Sequence, residues 1–170
     1  FSFKVRGAYN KMSRLSTEAA QRGVIAASAG NHAQGVALAG TTLGIPTIIV
    51  MPVTTPAIKI DGVRSRGGQV ILHGDTYNDA AEYAMKLVEE KGYTFVHAFD
   101  DRDVIAGQGT VAMEILHQHS GRLDAIFVPV GGGGLMAGMA VYIKYLRPDI
   151  RMIAVEAEDS ACLKAAIESG

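Results

Sequence analysis

Residues 125–138 read AIFVPVGGGGLMAG. The first six are apolar and rich in β-branched side chains, which marks a buried strand. Four consecutive glycines follow, and LMAGMAVYIKYL (135–146) then has the composition of a helix. Glycines between a strand and a helix tolerate φ > 0 and let backbone N–H groups turn toward one point. The helix N-terminus adds partial positive charge there, so the segment predicts an anion site, most often one for phosphate. A tight turn alone would use one or two glycines. Which phosphate is left open by the loop itself. Gly132, Gly134 and Ala137 also satisfy the dinucleotide pattern G-x-G-x-x-G/A, with Glu156 ending the following strand where a ribose-binding acid would sit. By these residues alone a dinucleotide-dependent oxidoreductase is one reading.

Working outward, the chain alternates strand and helix. Strands are predicted at 23–28, 46–51, 69–73, 93–99, 125–130 and 151–158. Helices are predicted at 32–44, 56–67, 76–92, 104–119 and 135–146. Apolar strands alternating with helices predict parallel sheets covered on both faces, an α/β fold. FDDRD (99–103) is a charged break and a candidate boundary. With 170 residues, 48% hydrophobic and 19% charged, the chain can bury a sizeable core. A net charge of −1 gives no electrostatic case for nucleic acid or an anionic membrane. No apolar run approaches the roughly 20 residues of a membrane span. The single cysteine, Cys162, excludes an internal disulfide framework, fits a reducing compartment and reads as a small buried hydrophobe.

Two further clusters carry chemistry. SAGNHAQG (28–35) lies between a predicted strand and helix, so Ser28, Gly30, Asn31 and His32 fall at the carboxyl edge of the sheet, where open α/β sheets bind ligands. Ser28 or Asn31 could simply cap the helix, and His32 alone reads as a packed or solvated first-turn residue. A hydroxyl, an amide and an imidazole within so few positions, beside a glycine that permits close approach, instead suit a carboxylate or phenolic oxygen. SFKVRGA (2–8) sets Lys4 among apolar neighbours. A lone lysine is a surface charge by default. Partial burial would disfavour its charged form and make the amine a nucleophile.

Together, SFKVRGA, SAGNHAQG and GGGGL, in this order and spacing, closely resemble the fold type II (tryptophan synthase β-like) family of pyridoxal-phosphate enzymes. Within that family they are most similar to the threonine dehydratases; IAGQGT (105–110) and AVEAEDSACLKAA (154–166) extend the likeness and favour the biosynthetic type. The resemblance implies dehydration and deamination of L-threonine, and of L-serine, to a 2-oxo acid and ammonia, the first step of isoleucine biosynthesis. It implies pyridoxal 5′-phosphate held covalently by Lys4, which would also abstract the substrate Cα proton. Asn31 would hydrogen-bond the pyridine 3′-oxygen. Ser28, Gly30, Asn31 and His32 would border the substrate carboxylate. The backbone of Gly131, Gly132, Gly133, Gly134 and Leu135 would cradle the phosphate, and Phe1 and Phe3 would wall the cofactor or act as ordinary core aromatics.

The same resemblance implies two domains, with 25–100 a small mobile one and 1–24 and 101–170 parts of a large one. It also implies a homo-oligomer, dimer or tetramer, in the cytoplasm, or in a plastid if the source is a plant. The chain departs from the family in three ways. It has no segment matching the later serine that meets the pyridine nitrogen, and no regulatory domain, so it reads as a piece of a longer enzyme, inactive by itself. Ala29 stands where serine racemases, the alternative relatives, carry a serine, which favours elimination over racemisation. Cys162 stands where their cation site uses an acid, which argues against a metal site of that kind. Glu156 is expected near the cofactor ring or capping a strand, and His73, His117 and His119 at the surface or at helix ends.

Overall fold

The computed structural model describes residues 2–169, and Phe1, one of the expected cofactor walls, lies outside them. The chain divides into two compact units that meet in sequence between Ala98 and Phe99. No helix among the described residues is long and apolar enough to cross a membrane.

The first unit is a four-stranded parallel sheet of order β3-β2-β1-β4, formed by β1 (Val24–Ala27), β2 (Thr47–Met51), β3 (Gln69–Leu72) and β4 (Thr94–Phe95). Helices α3 (Asn31–Leu43), α4 (Ala57–Arg64) and α5 (Tyr77–Lys91) make the crossovers. Ahead of β1 come α1 (Lys4–Met12) and α2 (Thr17–Arg22), with α1 packed on α3. Because strand side chains alternate, Ile25, Ala27, Ile48 and Val50 face α5, where they meet Ala80, Ala84 and Leu87. Val24, Ala26, Ile49 and Met51 point to the other face, equally shut from water. That two-sided burial is why β1 and β2 read as unbroken apolar runs.

Local signals explain the helix ends. Gly44 and Gly92 stop α3 and α5 in the left-handed conformation. Thr76 opens α5 with a capping box, its hydroxyl accepting from Asp79 N–H while the Asp79 carboxylate accepts from Thr76 N–H. Thr76→Ala should weaken α5 by about 1 kcal/mol, or roughly fivefold faster hydrogen exchange of its first-turn amides. Unchanged exchange would show that the cap is redundant.

The second unit holds α6 (Arg102–Gln118), β5 (Ala125–Pro129), α7 (Gly134–Leu146), β6 (Arg151–Val155) and α8 (Cys162–Ser169). Strands β5 and β6 pair in parallel with α7 as the crossover. Ile126 and Val128 point into a cluster with Ala112, Met139, Ile143 and Ile150. Phe127, between them on the opposite face, is 67% exposed, so this strand is not covered on both faces within the unit as its apolar run predicts.

Other expectations change as well. The strand predicted at 93–99 pairs only at Thr94–Phe95, because carbonyls beyond it serve side chains instead of a ladder. Cys162 is exposed at the first position of α8, not buried. Glu156 caps a helix and not a strand: its carboxylate accepts from Leu163 N–H at 2.8 Å and Lys164 N–H at 2.9 Å at the start of α8. His73 stacks on Tyr83 with ring centroids 3.9 Å apart.

Candidate active site

In the order β3-β2-β1-β4 the chain steps outward from β1 through β2 to β3, then returns to the other side of β1. The reversal opens a crevice at the carboxyl ends of β1 and β4, where such sheets bind ligands. The loop Ser28–Gly30 leaves β1 there, and residues 96–98 leave β4 there. Two side chains anchor on that second segment. His32 Nε2 donates to the Val96 carbonyl at 2.8 Å, and Lys4 Nζ donates to the Ala98 carbonyl at 2.7 Å.

Lys4 is held by contact between helices. A Cβ at Gly35 of α3 would lie 2.9 Å from Val5 N and 3.1 Å from Lys4 C, so only glycine lets the first turn of α1 lie so close to α3. This gives the last glycine of SAGNHAQG a role in placing the lysine. The Lys4 amine is half-buried and stands 5.4 Å from the centroid of the Phe3 ring. Burial lowers its pKa from the ordinary lysine value, despite the favourable carbonyl and ring contacts.

His32 is 4% exposed. A carbonyl can only accept, so Nε2 carries the proton and Nδ1 presents a lone pair, buried and unpartnered among the described residues. Burial, reinforced by the Lys4 and His97 charges and opposed by the Val96 bond, brings its pKa down from 6.5 to about 4. The folded state therefore resists a proton that the unfolded chain accepts. Stability should fall as pH drops below 6.5, levelling off below about 4, with a loss of about 2 kcal/mol between pH 7 and pH 5. Urea titrations at the two pH values should show this loss in the wild type. His32→Gln, which keeps a donor for Val96, should flatten it; an equal slope in the variant would assign the effect to other groups.

Ser28 does not cap α3; its hydroxyl accepts from Gly30 N–H at 3.3 Å, and Gly30 is the N-cap, without a side-chain bond. Asn31 is exposed at the first position of α3 and lines a cleft of about 300 Å³ with Ser2, Val5, Gln34, Leu38 and Arg66. Among the described residues no capping side chain meets the first turn of α3.

In the second unit the glycine loop opens α7. Gly133 is the N-cap at φ +82°, with no side-chain cap and no acidic residue in the first turn. Among the described residues nothing lies within 4 Å of a Cβ built on Gly131 or Gly133, whereas Gly132 and Gly134 press against Phe99. The Leu135 side chain packs on the core of this unit. Sequence reasoning missed Phe99, the Val96 and Ala98 carbonyls and Gln108. Gln108 is 1% exposed, with both amide atoms unpartnered among the described residues.

A half-buried amine of lowered pKa and a glycine loop at an uncapped helix start are what a lysine-held phosphate cofactor requires. The family of pyridoxal-phosphate dependent enzymes matches residues 1–170. The chain belongs to that family.

Among curated members, the biosynthetic L-threonine dehydratase of Burkholderia multivorans is 57% identical over all of this chain and 34% of its own length. The chloroplastic biosynthetic threonine dehydratase of Arabidopsis thaliana is 53% identical, with 29% of its length matched. The chain therefore spans about a third of the curated relatives it matches. Among solved structures, the processed threonine deaminase isoform 2 of Solanum lycopersicum superposes with a TM-score of 0.97 at 51% identity, covering 100% of this chain and 47% of that one. Maize serine racemase gives a TM-score of 0.90 at 40% identity, covering 97% and 51%.

The residues fit the family's cofactor. In the first unit the Lys4 amine offers an attachment point, and in the second the backbone of Gly131 and Gly133 faces open space among the described residues. The dinucleotide reading loses its support at Glu156, whose carboxylate is already taken by α8.

Proposed function

We propose that the protein containing this chain converts L-threonine, and L-serine, to the corresponding 2-oxo acid and ammonia. The observation that carries the proposal is Lys4, a half-buried amine of lowered pKa at the sheet's switch point. When bound, the pyridoxal group supplies a conjugated, electron-withdrawing ring that stabilises negative charge at the substrate Cα. Lys4 would be the attachment point and would also be the base that takes the substrate Cα proton. Its lowered pKa favours the unprotonated amine that both tasks require. The Asn31 amide would hydrogen-bond the ring's 3′-oxygen.

Ser28, Gly30, Asn31 and His32 border the substrate carboxylate, His32 through its main chain and not its buried ring, with the N–H groups of the α3 first turn as donors. His32, neutral above about pH 4, adds no positive charge beside the Lys4 amine. The backbone of Gly131–Leu135 receives the phosphate. Net, threonine loses its Cα proton and Cβ hydroxyl as water, and one water returns in the hydrolysis that frees ammonia.

Ala29 carries no exchangeable side-chain proton on the loop that follows β1. That supports elimination over racemisation, the second reading raised by the likeness to serine racemase. Residues 25–100 would form the small mobile domain and 1–24 with 101–170 the large one. The assembly would be a dimer or tetramer in the cytoplasm, or in a plastid for a plant source; sedimentation of the full-length protein tests the assembly.

The deciding assay incubates the full-length protein and pyridoxal phosphate with L-threonine and follows 2-oxobutanoate and ammonia. Equal yields of both are expected. D-allothreonine from L-threonine, or D-serine from L-serine, as the main product would favour the racemase reading, and no 2-oxo acid from either L-substrate would refute the proposal.

A further inference from the structure

The four glycines 131–134 have different duties. Gly133 alone among them requires a positive φ. A Cβ on Gly132 would overlap the ring of Phe99. One on Gly134 would come within 2.7 Å of the Phe99 carbonyl oxygen and 3.0 Å of its Cα and Cβ. Gly131 and Gly133 face open space among the described residues. Two glycines thus exist to admit Phe99, whose ring lies under Gly132 and whose backbone lies under Gly134.

Phe99 is itself tied down from the C-terminal side. Asp101 caps α6, its Oδ1 accepting from Asp103 N–H at 2.9 Å and Val104 N–H at 3.1 Å. Helix α6 meets α7 backbone to backbone at Gly109 and Gly138. The Phe99 backbone thus lies two residues before the anchored start of α6, the helix that packs on α7, and α7 is opened by the glycine loop. A run of glycines has more conformational freedom to lose than any other sequence, so it converges on an anion only if something rigid holds it. Within this unit Phe99, 37% exposed, is the residue pressed against the loop.

We propose that Phe99 is a positioning residue for the phosphate group: it templates the glycine loop from beneath and leaves the backbone of Gly131 and Gly133 free on the open side. This rests on the reading of residues 131–135 as the phosphate site. It also assigns the glycine at 132 to accommodation of an aromatic ring and not to backbone torsion.

The test compares dissociation constants of pyridoxal 5′-phosphate and of pyridoxal, which lacks the phosphate, in the full-length protein. The wild type should prefer the phosphorylated form strongly. Phe99→Ala should reduce that preference roughly tenfold or more, with pyridoxal affinity nearly unchanged, since only preorganisation of the loop is lost. Phe99→Leu, which keeps an apolar support, should fall between the two and serves if the alanine variant does not fold. Gly132→Ala should also lose preference for the phosphorylated form, and adding Phe99→Ala to it should recover part of the loss by removing the clash.

A preference retained in both Phe99 variants overturns the role of Phe99 alone. Equal weakening of both ligands also overturns it, because that would mark general damage to the unit. A wild type with no preference for the phosphorylated ligand overturns the phosphate reading of the loop and this inference with it.

Discussion

Lys4→Ala is expected to lower kcat by a factor of about 10³ or more, at the upper end of what a positioned acid–base group contributes, because attachment of the cofactor is lost as well. Two independent readouts should agree. Borohydride treatment of the wild type with pyridoxal phosphate should leave a pyridoxyl group on the peptide containing Lys4, and the variant should leave none there. Lys4→Arg should fail equally, since a guanidinium stays protonated and neither attaches the cofactor nor takes a proton. The protein should still fold: the side chain is half-buried and, among the described residues, makes one hydrogen bond to a main-chain carbonyl. A Lys4→Ala protein that turns over threonine within tenfold of the wild type would remove the amine from the mechanism. A label found on another lysine would remove it from the cofactor as well.

Gly138→Ala is expected to be the most damaging single methyl group in the second unit. Its Cβ would overlap the Ile105 carbonyl oxygen of α6 and lie 2.8 Å from Gly109 N. Both neighbours are backbone, so no rotamer change relieves the contact and the helices must separate. Overpacking of this kind costs about 3 kcal/mol, or roughly a hundredfold loss of hydrogen-exchange protection along α6 and α7. Gly109→Ala should be milder, its nearest contact being the Gly138 oxygen at 2.9 Å. Gly131→Ala, with nothing within 4 Å among the described residues and no positive φ, should change stability by less than about 0.5 kcal/mol. Similar exchange rates in the 138 and 131 variants would show that the α6–α7 approach is looser than its geometry.

Much of this was legible in the residues because the signals are local. The apolar runs of β1 and β2, the glycines after α3 and α5, and the Thr76–Asp79 box act within a few positions of one another. The loop GGGGL and the cluster SAGNHAQG stand at strand–helix junctions, as predicted. Helix α1 was not legible: Phe3, with no capping group, occupies its N-cap, and the hydroxyl that meets its first amide, Ser2 accepting from Lys4 N–H at 3.3 Å, stands one position too early for the usual start signal. Helix α8 was equally hidden, because its cap comes from Glu156, seven and eight residues before the amides it serves.

The amino-acid sequence by itself determined the alternation of strands and helices, the junctions where ligands bind and the residue types that bear on a lysine-held phosphate cofactor. Only the tertiary structure decided the state of those residues. His32 is a neutral, single-tautomer imidazole because it is buried against the Val96 carbonyl, 64 positions away. Lys4 has a lowered pKa because α1 lies on Gly35 and takes its amine out of water. Gly132 and Gly134 serve Phe99 because it packs directly beneath them. Secondary structure follows from bonds and torsions a few residues apart, whereas desolvation and close contact depend on which distant atoms fill the neighbouring space.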